Sequence, residues 1–171
     1  MDAEAIRSIQ APLKARYRDD PDSAVVTLTA SGRVGGEGIA CSVETGRALV
    51  EAGLHPASGG NGLQACSGDM LLQALVACAG VTLRAVAVAL DIDLRDGTVT
   101  AEGDLDFRGT LGVDKQAPVG FRDVRLHFAV DSDADEERLA TLLKLTERYC
   151  VVYHSLRNPL PIAASISHTR P

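Results

Sequence analysis

The side chains of this chain best suited to covalent chemistry are four cysteines: Cys41, Cys66, Cys78 and Cys150. A thiolate is a nucleophile, and two thiols on separate helices that meet in the fold make a nucleophile and a resolving partner. No pair has C-x-x-C spacing, so neither a zinc knuckle nor a thioredoxin-type motif is supported. In a reducing compartment the four are expected as thiols rather than structural disulfides. Cys78 sits in the middle of the longest apolar run, where a cysteine can equally be an inert small hydrophobe. Cys150 follows Arg148 and Tyr149 at a predicted helix junction, a setting in which donors or positive charge favour thiolate. Sequence alone leaves open whether these two meet. Cys66, just ahead of the apolar run, reads as a reactive thiol, a third redox partner or a small loop residue. His154, one turn beyond Cys150, reads as its base or as a surface histidine. A metal site built from His55, Cys66, Cys150 and His154 has no ligand spacing behind it, and no metal or other cofactor is expected.

The element that must position Cys78 runs from Cys66 to Leu90, CSGDMLLQALVACAGVTLRAVAVAL. From Met70 onward it contains no proline and one glycine, Gly80, and about twenty such residues span roughly 30 Å as a helix. Being apolar nearly all round, it is expected to be buried on most sides. Gln73, Thr82 and Arg84 interrupt the run and no aromatic belt flanks it, so a core helix is expected rather than a membrane span. Ser67 is the expected N-cap, with Asp69 facing the positive end of the dipole.

Around this helix the pattern alternates between strand and helix signals. Residues 2–17 carry an amphipathic spacing interrupted by Pro12, which predicts an N-terminal helical extension over 1–22 ahead of a main domain over 23–171. Val25–Ala30, Gly38–Val43 and Ala48–Leu54 predict a three-stranded antiparallel meander, with Ser31–Gly36 as a turn. A flexible connection, His55–Gly62, leads to the central helix. Thr98–Phe107 and a strand bearing Val124, Leu126, Phe128 and Val130 on one face follow, separated by a loop over Gly109–Gly120. Asp133–Cys150 is a second long helix with an acidic start and a core stripe of Leu139, Leu142, Leu143 and Thr146. The segment VVYHSLR comes next, and Ile162–Ile166 can supply a last strand. The order is α+β, with no βαβ run of parallel strands.

Composition narrows the partners. A chain of 171 residues can bury a substantial core, and a net charge of −6 without a basic stripe argues against nucleic acid. No signal-peptide pattern opens the sequence, which makes cytoplasm the default location. A three-stranded sheet cannot cover a helix that is apolar all round, so a second copy of the chain is the natural cover and a homodimer is expected.

Two segments carry a family resemblance. DMLLQALVACAGVTLR (69–84) resembles the central helix of the osmotically inducible protein C and organic hydroperoxide resistance (OsmC/Ohr) family, whose signature there is of the type L-L-x-A-A-L-A-A-C-x-x-M-T-L, with a glutamate ten residues before the cysteine. LTERYCVVYHSL (145–156) resembles the same family's second cysteine motif, commonly C-P-V, and the order of elements agrees over roughly Val25–Ile166. The resemblance implies an OsmC-like fold: an intertwined homodimer with long central helices wrapped by antiparallel sheets and the active site at the dimer interface. It implies that Cys78 is the peroxidatic thiolate attacking an organic hydroperoxide, and that Cys150 is the resolving thiol. The resulting disulfide would be reopened by a dithiol reductant.

The supporting groups depart from that pattern. The family's glutamate falls on Gly68, leaving Asp69 as the nearest carboxylate, one position around the helix. Arg33, in SGRVGG, resembles the family's G-R-D-G turn, with Arg47 as its competitor. The second motif reads CVV, without the proline that would set the helix start. Two functions therefore stand open: a cysteine-dependent hydroperoxide reductase, and a non-catalytic protein of the same fold that binds a small apolar or acyl ligand at the dimer interface.

Overall fold

The computed structural model describes residues 4, 11, 32–34, 40–44, 49–112, 114–158 and 160–168. Apart from residues 4 and 11, the expected N-terminal helix lies outside the described residues, as do the strand expected over 25–30 and Arg47.

The described residues ahead of the central helix form a small sheet. Strands β1 (Gly32–Val34), β2 (Ala40–Glu44) and β3 (Leu49–Gly53) pair antiparallel, and the two-residue β4 (Ala65–Cys66) lies parallel to β3. Residues 32–34, expected in a turn, instead form strand β1, with Arg33 opposite Ser42. Between β3 and β4 the chain doubles back through a single 3-10 turn, Pro56–Ser58, closed by Gly59 at φ +95°, a backbone angle that favours glycine. The His55 ring stacks on Phe107, with ring centroids 5.1 Å apart. The Gly53↔Cys66 pairing delivers Cys66 directly to the start of the central helix.

Helix α1 spans Ser67–Ala89. Its N-cap is Cys66 rather than the expected Ser67, and Cys66 makes no side-chain capping bond. Its C-terminus closes in a Schellman motif: the Ile92 N–H donates to the Ala87 carbonyl at 2.9 Å and the Asp91 N–H to that of Val88 at 3.3 Å. Asp91 takes the left-handed position usual for glycine, at φ +54°. The Arg138 guanidinium then donates to the carbonyl oxygens of Leu90 and Asp91, at 3.0 and 2.8 Å, satisfying groups the helix leaves over.

Strands β5 (Asp96–Leu105) and β6 (Phe121–Asp131) form an antiparallel pair, joined through the one-turn helix α2 (Phe107–Thr110). Phe107, expected in the strand, opens that turn instead. The register shifts at Asp104/Leu105, where Phe121 comes opposite Leu105. A Cβ on Gly103 would stand 2.5 Å from Phe121 Cε1, so the ring lies where any other side chain would be. On the outer face Arg125 pairs with Asp104 and Asp123, and Arg95 with Asp131 and Asp133.

Helix α3 (Glu136–Tyr149) is capped by Asp135, whose carboxylate accepts from the Arg138 N–H at 2.8 Å. Helix α4 (Val151–Arg157) follows after one residue. The core gathers Leu83, Val86 and Ala87 of α1, Ile92 and Leu94 of the following turn, and Leu142 of α3, with Phe128, Val130 and Leu145 packed around them. Leu143, expected in the stripe, is largely exposed, and Leu145 takes its place.

One chain by itself covers only part of α1. Within one chain α1 buries a single face (Leu75, Ala79, Leu83, Val86, Ala87), because β5, α3 and α4 all lie to that side. Ala74, Ala77, Val81 and Ala85 on the other face are open, with Val81 72 % exposed. This is the one helix among the described residues long and apolar enough to cross a membrane. The expected last strand is also absent. Residues 160–168 have no regular structure and Ile162 is 90 % exposed, since no described strand edge pairs with them.

Candidate thiol site

The site is built where α1 meets the corner between α3 and α4. Cys78 lies near the middle of α1 and is half-buried. Cys150 is the single residue separating the two helices and is 1 % exposed. Its backbone is extended (φ −75°, ψ 110°), which ends α3 and begins α4. Its own N–H still donates to the Thr146 carbonyl at 3.0 Å, while its carbonyl accepts from the His154 N–H at 3.0 Å. Thr146 is fully buried and returns its hydroxyl to the Leu142 carbonyl at 2.8 Å, so the last turn of α3 is held firmly.

This geometry brings the two thiols close enough for each to shift the other's acidity. The backbone N–H groups of Val152 and Val151 act on the same thiol and lower its pKa. They are first-turn groups of α4, without partners inside the helix, and are therefore available as donors. Burial pushes the Cys78 thiol up. The Val152 N–H, the Cys150 thiol and the Val151 N–H together outweigh it and hold Cys78 below the ordinary thiol range. Cys150 moves the other way: burial pushes it up, the Tyr153 N–H offsets part of that, and sharing its contact with Cys78 raises it further. The pair is thus polarised, with Cys78 the first to ionise and Cys150 the one that stays protonated.

The absence of proline from the second motif matters here. A proline at 151 has no N–H to give. With valine in that place, α4 still begins at 151 and the amide adds a donor to the Cys78 sulfur.

The other candidates fall elsewhere. Asp69 is exposed in the first turn of α1, nine residues or about 13 Å along the helix axis from Cys78, so the chain does not bring the two together. Gly68 faces apolar groups: a Cβ there would meet Leu105 Cδ1 and Phe121 Cζ at 3.5 Å and the Cys66 sulfur at 3.6 Å. The Arg33 backbone lies in the β1–β2 ladder. His154 is exposed and its ring Nδ1 lies 3.2 Å from the Asn158 amide, away from a role as base to Cys150.

A groove of about 1070 Å³ opens beside the site, between α1, β6 and the α3–α4 corner. Its walls include Leu71, Leu75, Phe121, Leu126, Leu143 and Tyr153. Neither sulfur lines it, while Leu75, three residues before Cys78, and Tyr153, three after Cys150, do.

A model of the family described as OsmC-like protein matches residues 59–165, which contain both cysteines and the whole of α1, β5, β6, α3 and α4. The chain belongs to the OsmC-like family. Solved structures agree in fold. An OsmC-like protein from Mycoplasma pneumoniae matches with a TM-score of 0.64 at 16% identity, covering 78% of this chain and 89% of that one. An organic hydroperoxide resistance protein from Elizabethkingia anophelis, with thiocyanate bound, gives 0.63 at 19% identity over 80% and 91% of the two chains. One from Legionella pneumophila gives 0.61 at 21% over 78% and 91%. No curated protein matches the sequence. In this OsmC-like protein, sequence reasoning missed the Val151 and Val152 amides and the Tyr153 N–H, because a backbone donor has no side-chain signature. The missing proline was the one signal that could have revealed the first of them.

Proposed function

We propose that this OsmC-like protein reduces organic hydroperoxides, with Cys78 as the peroxidatic thiol and Cys150 as the resolving thiol. What carries the reading is the placing of Cys78 on α1 beside Cys150 at the α3–α4 corner, where their surroundings push the two thiols in opposite directions. Cys78 thiolate attacks the terminal peroxide oxygen. The O–O bond breaks, the alkoxide leaves and takes a proton from water, and Cys78 becomes a sulfenic acid. Cys150, already in contact, attacks that sulfur. Water departs, carrying the thiol proton, and a disulfide remains. An external dithiol reopens it and is itself oxidised to a disulfide. The apolar groove suits the organic part of the substrate. Two structural relatives are described as organic hydroperoxide resistance proteins, which agrees with this chemistry.

The protein acts as a homodimer in the cytoplasm. The open face of α1, with Ala74, Ala77, Val81 and Ala85, is the surface a second copy would cover.

Treatment with one equivalent of cumene hydroperoxide, followed by intact and peptide mass spectrometry, tests the assignment. A Cys78–Cys150 disulfide in the wild type, and a trapped sulfenic acid at Cys78 in Cys150→Ser, are expected. The second reading is a ligand-binding protein that uses the same groove, favoured by the apolar surroundings of Gly68 where the family carries a carboxylate. It takes over if Cys78 remains a thiol for minutes in the folded protein.

A further inference from the structure

His55 stands just ahead of the Pro56–Ser58 turn and holds it with both its backbone and its ring. The ring Nδ1 accepts from the Ala57 N–H at 3.0 Å. The His55 carbonyl accepts from the Ser58 N–H at 2.8 Å, the Ser58 hydroxyl at 2.9 Å and the Gly60 N–H at 3.1 Å. The same ring stacks on Phe107, the first residue of α2, with the two planes 23° from parallel. A ring nitrogen that accepts carries no proton, so this geometry requires the neutral tautomer with its proton on Nε2. A second proton, added at Nδ1, turns the acceptor into a donor and leaves the Ala57 N–H facing another N–H. The stack responds in the opposite sense, because a cation over an aromatic face is attracted to it.

We propose that His55 is a proton-driven latch: when neutral it holds both the Ala57 amide and Phe107, and when protonated it releases the amide and keeps the phenyl ring. The segment so loosened, 56–60, belongs to the connection that carries the chain from β3 to β4, and so to Cys66 at the N-cap of α1. The sign follows from the bond: the cap belongs to the neutral ring, so it is present at higher pH and lost as pH falls. Histidine is the side chain suited to such a latch, since its charge changes between about pH 5 and pH 8. The turn itself, Pro56–Ser58, carries no titratable group. Around it stand Asp106, with Arg122 at 3.8 Å, and Arg108 on α2. On the sheet side are Cys66 on β4 and Glu51 on β3, whose carboxylate accepts from the Gln64 amide at 2.6 Å.

The latch goes beyond the proposed function and depends on no thiol chemistry. Proton–nitrogen NMR of the reduced full-length protein, from about pH 8 down to about pH 5, reads both of its halves. The imidazole nitrogens report tautomer and charge, and solvent-exchange protection of the Ala57 amide reports the capping bond. At the upper end the ring is expected to carry its proton on Nε2. As it gains the second proton, Ala57 protection should fall about two- to ten-fold with the same midpoint as the ring, while the Overhauser contacts between His55 and Phe107 persist. His55→Asn keeps a capping acceptor that does not titrate, so Ala57 should stay protected throughout. His55→Phe keeps a ring to stack but has no acceptor, so Ala57 should be unprotected throughout. An Nδ1–H tautomer at the upper end overturns the proposal, as does an Ala57 amide that ignores the ring's titration or titrates equally in His55→Asn. Loss of the Phe107 contacts on protonation overturns it too. Should either variant fail to fold, the wild-type titration decides alone.

Discussion

The Val151 N–H helps hold the Cys78 thiol below its ordinary range, one peptide bond beyond Cys150, whose thiol does the same. A corner between two helices thus supplies both the resolving thiol and part of the force that ionises its partner. Proline at 151 would keep the first of these and lose one donor of the second.

Val151→Pro is accordingly expected to fold normally. Proline suits the first position of a helix, and the extended backbone of Cys150 is what a residue before proline requires. The loss is one N–H to a thiolate. Cys78 labelling at pH 7 should fall about three- to ten-fold while the melting temperature stays within about 2 °C. Unchanged labelling in the folded variant would show that the Val151 donor is irrelevant.

The two thiols should titrate on opposite sides of the ordinary thiol range. A lowered pKa moves the rise in thiolate to lower pH, and a raised one moves it higher. Peptide-resolved alkylation from about pH 6 to pH 10 should therefore reach half its plateau earlier for Cys78 than for Cys150. Coincident or reversed midpoints would remove the polarised pair.

Gly103 is required by the Phe121 ring, which stands 2.5 Å from where a Cβ would be, with Leu72 Cδ2 at 3.3 Å. Gly103→Ala should cost about 1–3 kcal/mol in urea denaturation. Phe121→Leu in the same chain should recover part of that, leaving a coupling above about 0.5 kcal/mol. Strictly additive losses would mean that the ring is not what excludes the methyl group.

The open face of α1 makes the dimer testable by one charge. Val81 is 72 % exposed in the single chain, so lysine there leaves the subunit's own core untouched. In a dimer that covers this face the ammonium would be stripped of water. Sedimentation velocity at micromolar protein should give a dimer for the wild type and a monomer for Val81→Lys. A monomeric wild type, or a variant that still dimerises, would place the interface elsewhere or remove it.

The sequence by itself determined the local elements. The unbroken Ala/Leu/Val run made α1, the period-two alternation of Val124, Leu126, Phe128 and Val130 made the inner face of β6, and the acidic start of 133–137 marked the beginning of α3. Those signals depend on near neighbours along the chain. The family resemblance likewise rested on residue types at fixed spacings around Cys78 and Cys150.

Only the tertiary structure decided which groups meet. It brought Cys150 close enough to Cys78 to shift its acidity, added the influence of two backbone N–H groups, kept Asp69 about 13 Å along the axis, and turned Leu143 out while Leu145 packed inward. It also left 160–168 unpaired, although their composition suits a strand, because a strand needs an edge as well as a propensity. The physical reason is common to all of these. A thiol's acidity and a side chain's burial depend on distances through space, set by how α1, α3 and α4 pack, and no spacing along one segment contains them.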